Sequence, residues 1–317
     1  MKKISLLLSC LLTLCLLNAQ PPHVVKHLKI TVLSTMLANA GLGEWGFSAL
    51  VEADGTRILF DTGSHDSTVL KNSRNLKLDL STVPTLILSH NHDDHTTGWL
   101  TLRKYLQSVQ SNSLQVTHVA PGFLATRMNA DGTEDHHRYQ DSIAYAAMKG
   151  TLVSHDHFTE IFPGIYLTGP VPRRYPETNY NTRGRYKNNA GEIVEDNIPE
   201  DMSLVIRTEE GLVLLSGCGH SGIINNTSYI QAQLHQPIYT AIGGFHLFNT
   251  PDDKIQWTAK ELKAAGIKYF MGAHCTGIEP VYQIREWAGL KRGDCRVGAV
   301  GDVFETGKGF IAAALAR

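Results

Sequence analysis

Three histidines and two aspartates fall in six consecutive positions of this chain, His90-Asn91-His92-Asp93-Asp94-His95. Imidazole nitrogens and carboxylate oxygens are the donors that zinc and similar cations take. The apolar run Leu86-Ile87-Leu88 ahead of them reads as a buried strand ending at Ser89. If the chain then coils into a helix near Thr96, His90 and His92 face one point while Asp94 and His95 face a second point close by. One loop would hold two cations, which is how a paired-metal hydrolytic centre is built. The plainer alternative is a polar loop entering a helix, with aspartate as N-terminal charge and Thr96 as cap. The density of histidine, a scarce residue, weighs for metal.

The elements that must position such a loop can be read along the chain. Residues 28–37 are rich in β-formers and make the expected first strand. Residues 47–53, the turn Asp54-Gly55 and residues 56–60 read as a hairpin that delivers Asp61-Thr62-Gly63 at a strand end. An amphipathic helix over 99–107 and a strand over 115–119 follow the metal loop. Beyond Met202, strands over 203–207 and 212–215 form a second hairpin, which drops into Ser216-Gly217-Cys218-Gly219-His220-Ser221-Gly222. A strand over 238–242 leads to Gly243-Gly244-Phe245-His246-Leu247. Then come a helix over 252–265 and the expected final strand over 268–273, which ends in His274-Cys275-Thr276-Gly277.

His90-x-His92-x-Asp94-His95 resembles the signature of the metallo-β-lactamase fold superfamily. With Asp61-Thr62-Gly63, Gly217-Cys218-Gly219-His220, the His246 segment and His274-Cys275-Thr276-Gly277, it resembles the metal-dependent hydrolase branch that includes 7,8-dihydropterin-6-methyl-4-(β-D-ribofuranosyl)-aminobenzene-5′-phosphate synthase. The resemblance implies an α+β fold, a four-layer αββα sandwich of the metallo-β-lactamase type, formed by residues 23–317 as one domain. It also implies two divalent metal ions, zinc (Zn2+) first and Mn2+ or Fe2+ as alternatives. His90, His92 and His220 would hold one, and Asp94, His95 and His274 the other. Asp61 would orient the metal loop from behind. Three positions depart from the pattern: Gly219 replaces a serine, Ala120 stands where relatives have histidine, and Cys218 occupies the place of a bridging aspartate. Cys218 and His220 therefore compete for one ligand role, with His220 favoured and Cys218 the alternative ligand.

The chain has 317 residues and a formal net charge of −1, the composition of a soluble globular protein with no nucleic-acid-binding surface. Lys2 and Lys3, an apolar run over 4–17 and Asn18-Ala19-Gln20 have the layout of a signal peptide over residues 1–19. That run is short for a membrane span, so the mature chain is expected to be periplasmic or secreted, with no stable membrane insertion. Cys218, Cys275 and Cys295 then remain, an odd count that makes no disulfide framework. Residues from about 127 to 200 are the least regular and read as a loop-rich insertion. Arg173, Arg174, Arg183 and Arg185 lie in it and read either as a solvated loop or as a pocket wall that clamps an anionic substrate.

A centre of this kind acidifies bound water and polarises a scissile carbonyl or phosphoryl oxygen. The expected protein is an exported dinuclear metal-dependent hydrolase that uses a metal-bound hydroxide on a small, anionic ester or phosphate. Asp94 could relay a proton to the leaving group. His246, by resemblance, would stabilise developing negative charge. Lactonase, thioesterase or β-lactamase-like hydrolysis is the alternative, and a non-catalytic metal-binding protein stands behind it. A di-iron redox protein is disfavoured, because such relatives carry glutamate where His92 stands and need a flavin domain for which this chain has no room.

Overall fold

Alternation along the strands explains the architecture. In the computed structural model, which describes residues 22–311, an eight-stranded sheet runs in the order Gly309–Ile311, Val303–Glu305, Leu28–Ser34, Ser48–Ala53, Thr56–Phe60, Thr85–Ile87, Val116–Val119, Thr151–Ser154. A seven-stranded sheet runs Thr159–Phe162, Ile165–Leu167, Leu204–Arg207, Leu212–Ser216, Ile238–Gly243, Tyr269–Gly272, Cys295–Val297. Successive side chains of a strand point to opposite faces, and here both faces are apolar. Ile30, Val32, Ala49, Val51, Ile58 and Phe60 of the first sheet share one core with Leu204, Ile206, Val213, Leu215, Ile242 and Met271 of the second.

The residues between them face the other way. Leu33, Leu50, Leu59, Leu86 and Leu88 pack with Val69, Trp99, Leu102 and Tyr145 from the helices Thr68–Asn75, Trp99–Val109 and His137–Ala147. Val205, Leu212, Leu214, Ala241 and Phe270 pack with Ile230, Ile255, Leu262 and Ile284 from the helices Ile223–Leu234, Asp252–Ala265 and Ile278–Ala288. Three cores thus separate four layers, and the αββα sandwich expected from the sequence is the observed fold. No helix among the described residues is long and apolar enough to cross a membrane. The expected signal peptide over residues 1–19 lies outside the described residues.

Two details differ from the sequence reading. The stretch 127–200 is not loop alone. It holds the helix His137–Ala147, the edge strand Thr151–Ser154 of the first sheet, and Thr159–Phe162 and Ile165–Leu167 of the second. The chain therefore crosses between the sheets inside it. What projects is a small sheet of Arg127–Met128, Glu134–Asp135, Arg185–Lys187 and Ile193–Glu195, whose strands of two or three residues are too short to show a period. The strand Tyr269–Gly272 is also not the last, since Cys295–Val297, Ala299–Val300, Val303–Glu305 and Gly309–Ile311 follow it.

What positions the site is the direction of the central strands. Thr56–Phe60, Thr85–Ile87 and Val116–Val119 are mutually parallel. Leu212–Ser216, Ile238–Gly243 and Tyr269–Gly272 are parallel in the other sheet. Parallel strands bring their carboxyl ends to one edge, where open sheets bind ligands. Asp61, His90, Cys218, His220, His246 and His274 all lie just beyond such ends.

Away from that edge, a buried histidine pair makes stability depend on acid. His118 Nδ1 lies 2.8 Å from His155 Nε2, and burial, with His155 beside it, holds His118 down to about 4. In the unfolded chain the same imidazole takes its proton near 6.5. Between those values the unfolded state binds the extra proton, so this contribution is complete above 6.5 and is lost as pH falls towards 4. The penalty is about 3 kcal/mol across the whole window. His118→Asn is expected to flatten the acid limb of urea-unfolding stability between pH 7 and 4.5; parallel limbs in variant and wild type would contradict this.

Candidate metal centre

The loop after Thr85–Ile87 is held from behind by one carboxylate. Asp61, fully buried and in the left-handed region at φ 54°, accepts the Ser89 backbone N–H at Oδ1 (2.8 Å) and the Ser89 hydroxyl at Oδ2 (2.8 Å). The same Oδ2 lies 2.7 Å from His95 Nδ1. A carboxylate only accepts, so His95 carries its proton on Nδ1 and turns an Nε2 lone pair inward. The Ser89 hydroxyl has spent its proton on Asp61. It therefore accepts from His90 Nδ1, 2.9 Å away, and His90 too presents an Nε2 lone pair.

The second sheet supplies the opposing half. Gly219 takes φ 60°, which lets the chain turn sharply between Cys218 and His220. Gly217 is required for a different reason: a Cβ there would overlap Ser89 Oγ and Asp61 Oδ2. The two loops meet at that contact. His220 Nδ1 donates to the Asn179 carbonyl at 2.5 Å, which fixes the tautomer and leaves Nε2 as a lone pair. His246 and His274 sit at φ 47° and 46°, a conformation that costs a side chain free energy and clusters at functional sites.

These side chains form three overlapping groups, each with its donor atoms within 4.8 Å of one another: His90, His92 and His220; Asp94, His95, Cys218 and His274; and Cys218, His220 and His246. The structure brings together all the residues that the sequence reading assigned to each cation. Cys218 stands beside His95 (Sγ to Nε2, 3.1 Å) in the group with Asp94 and His274, His220 stands beside His90 and His92, and the two also share the group with His246.

A cation fits this donor set. The Nε2 atoms of His90 and His220 are buried lone pairs with no hydrogen-bond partner among the described residues, and buried polar atoms are seldom left unmatched. Burial and neighbouring imidazoles hold His90 and His220 well below their ordinary value. Burial takes His92 down to about 4, although Asp94 works against it. Neutral imidazole is the form that binds metal. His274 goes the other way: burial lowers it, but Cys275 and the Asp94 carboxylate, whose Oδ2 is 3.1 Å from His274 Nε2, raise it to about 10. Burial would raise Asp94, yet His95, His274 and His92 hold it well below the carboxylate range. Cys218 and Cys275 lie 3.2 Å apart, and burial pushes the Cys218 thiol up.

Sequence reasoning missed a second set of supports. Arg127, packed beneath the loop, donates to Asp196 (2.9 Å) and to the fully buried Glu200 (2.7 Å), and Glu200 Oε1 accepts the Asn91 backbone N–H at 3.3 Å. Arg138 donates to the Asn91 carbonyl at 3.0 Å and pairs with Asp93. Nothing local marks these residues, since Arg127 and Glu200 are 73 positions apart.

The four arginines expected to wall the pocket do not act alike. Arg173 donates to the backbone carbonyls of His220 (2.6 Å) and Asn197 and lies over the Tyr180 ring. Its guanidinium braces the His220 turn. Arg174, Arg183 and Arg185 are exposed, and Arg185 bonds the carbonyls of Thr182 and Gly184 in its own turn.

A model of the metallo-beta-lactamase superfamily matches residues 46–110, the stretch that contains the histidine loop and its carboxylate support. The 7,8-dihydropterin-6-methyl-4-(beta-D-ribofuranosyl)-aminobenzene-5'-phosphate synthase of Methanocaldococcus jannaschii is 31% identical over 273 residues, spanning 80% of this chain and 90% of that protein. This chain belongs to the metallo-beta-lactamase superfamily. Among solved structures, Tm1679, a metal-dependent hydrolase of the beta-lactamase superfamily, is 29% identical with a TM-score of 0.70, covering 87% of this chain and 98% of its own. The metallo-beta-lactamase fold protein YhfI from Bacillus subtilis shares the fold at 14% identity and a TM-score of 0.50, covering 88% and 100%. Membership implies divalent metal binding, and the three donor groups are its candidate site.

Proposed function

We propose that this protein is a dinuclear metal-dependent hydrolase of a small anionic ester or phosphate. The observation that carries the reading is the pair of buried, unmatched Nε2 lone pairs of His90 and His220 beside a second donor group of Asp94, His95, Cys218 and His274. Bound divalent cations, zinc first, would acidify a water and polarise the scissile oxygen of the substrate. The chain's own residues do the rest. Asp61 and the Asn179 carbonyl fix the tautomers of His95 and His220. Asp94, partly exposed at the rim, moves a proton to the leaving group. His246, whose Nδ1 has no hydrogen-bond partner among the described residues, faces the developing negative charge. The ester or phosphoester bond breaks, the water oxygen stays on the acid, and its proton leaves on the alcohol.

The relative from Methanocaldococcus jannaschii carries a 5'-phosphate in its name and Tm1679 is a metal-dependent hydrolase, which supports a phosphate-bearing substrate. The test is a screen of phosphodiester, phosphomonoester, lactone and β-lactam substrates with the zinc- and manganese-loaded protein. Turnover of a phosphate or anionic ester, lost with EDTA and restored by metal, is expected. Turnover confined to lactones or β-lactams would replace this reading. The layout of residues 1–19 further supports export, so that protein from the native host should begin near Gln20 by N-terminal sequencing; an intact Met1 on soluble cytoplasmic material would contradict it.

A further inference from the structure

Two large aromatic side chains stand in solvent at the edge of this centre. Trp45 is 47% exposed and Phe248 40%. Scattered surface apolar residues are ordinary, but these come from opposite halves of the fold and meet, their ring centroids 5.6 Å apart with planes at 81°. Each also touches a candidate site histidine. The Trp45 ring lies 4.9 Å from that of His274, and Phe248 lies 5.1 Å from that of His246.

Both are fixed from behind. On either side of Trp45, Glu44 N–H donates to the Thr35 carbonyl (2.9 Å) and Phe47 N–H to the Asp94 carbonyl (3.1 Å). The buried Glu44 carboxylate accepts the Ser34 hydroxyl (2.6 Å) and Ser64 N–H (3.0 Å). A Cβ at Gly46 would stand 2.7 Å from the Asp94 carbonyl oxygen, so the backbone beside Trp45 lies directly against the metal loop. Leu247 and Phe248 N–H both donate to the Cys275 carbonyl, at 3.1 and 3.3 Å. Apolar surface held in place without a covering partner costs little further entropy when a ligand arrives.

We propose that Trp45 and Phe248 form an aromatic corner that receives a planar conjugated ring of the substrate, so that the anionic ester is an aryl or heteroaryl one; this rests on the hydrolytic reading of the centre. Two walls near a right angle let a ring stack on one and present its edge to the other, the two geometries that aromatic pairs prefer. The corner opens beside His274 and His246, so a ring seated there carries its acidic substituent to the donor groups.

The test uses two non-hydrolysable anions, phenylphosphonate and methylphosphonate, titrated calorimetrically into the metal-loaded protein. Wild type should bind the phenyl compound on the order of tenfold more tightly. In Trp45→Ala and Phe248→Ala that preference should fall towards one, with methylphosphonate affinity and metal content unchanged, and Trp45→Phe should retain most of it. Equal binding of the two anions by wild type, or a preference that survives both alanine variants, overturns the corner. Failure of both anions to bind overturns it together with the anion-binding reading, whereas a Trp45-dependent preference without turnover of any ester leaves the corner standing and removes hydrolysis.

Discussion

His220→Ala is expected to bind one metal equivalent fewer than wild type and to lose activity on the order of 100-fold or more. The imidazole supplies a buried Nε2 lone pair already oriented by the Asn179 carbonyl, and removing a ligand costs affinity directly. The group that it forms with His90 and His92 has no fourth donor among the described residues. Cys218→Ser should do less, because Asp94, His95 and His274 remain as three donors in the other group. Metal content after dialysis, read beside hydrolysis rates, checks both variants. Loss of metal from the cysteine variant with retention by the histidine variant would reverse the roles.

Asp61→Asn should disturb both groups without touching a donor. The carboxylate accepts three bonds, from Ser89 N–H, the Ser89 hydroxyl and His95 Nδ1. An amide has one oxygen to offer and a donor in place of the other. If its NH2 faces Ser89 Oγ, the hydroxyl swings its proton to His90 Nδ1, and the His90 lone pair at Nε2 is lost. In that place it also faces His95 Nδ1–H, and in the Oδ1 place it faces Ser89 N–H, so that in either orientation two donors oppose each other in a buried site. Metal affinity is expected to fall roughly 10- to 100-fold, measured by competition with a chromophoric chelator. Unchanged affinity would show that Asp61 serves the fold alone.

The part of the site that was legible in the sequence is the part written at strand ends. The run His90 to His95 begins three residues after Ile87, the last member of an apolar strand, and the glycines around Cys218 and His220 mark a turn whose φ of 60° at Gly219 needs one. Both sheets could be foreseen because branched apolar residues fill both faces of their central strands. What could not be read is held by side-chain direction over long separations. Arg173 lies in a basic stretch like Arg183 and Arg185, and only the placement of the His220 and Asn197 carbonyls turns it inward. Arg127 and Glu200 meet beneath Asn91 because the chain crosses between sheets in the segment that separates them. Trp45 looks like any loop tryptophan until the Asp94 carbonyl is seen against the backbone on its flank.

Anomalous diffraction at the zinc edge from crystals of zinc-loaded protein tests the central claim most directly. Two peaks per chain are predicted, one among His90, His92 and His220 and the other among Asp94, His95, Cys218 and His274. A single peak, or peaks confined to surface histidines such as His157, would contradict a dinuclear centre.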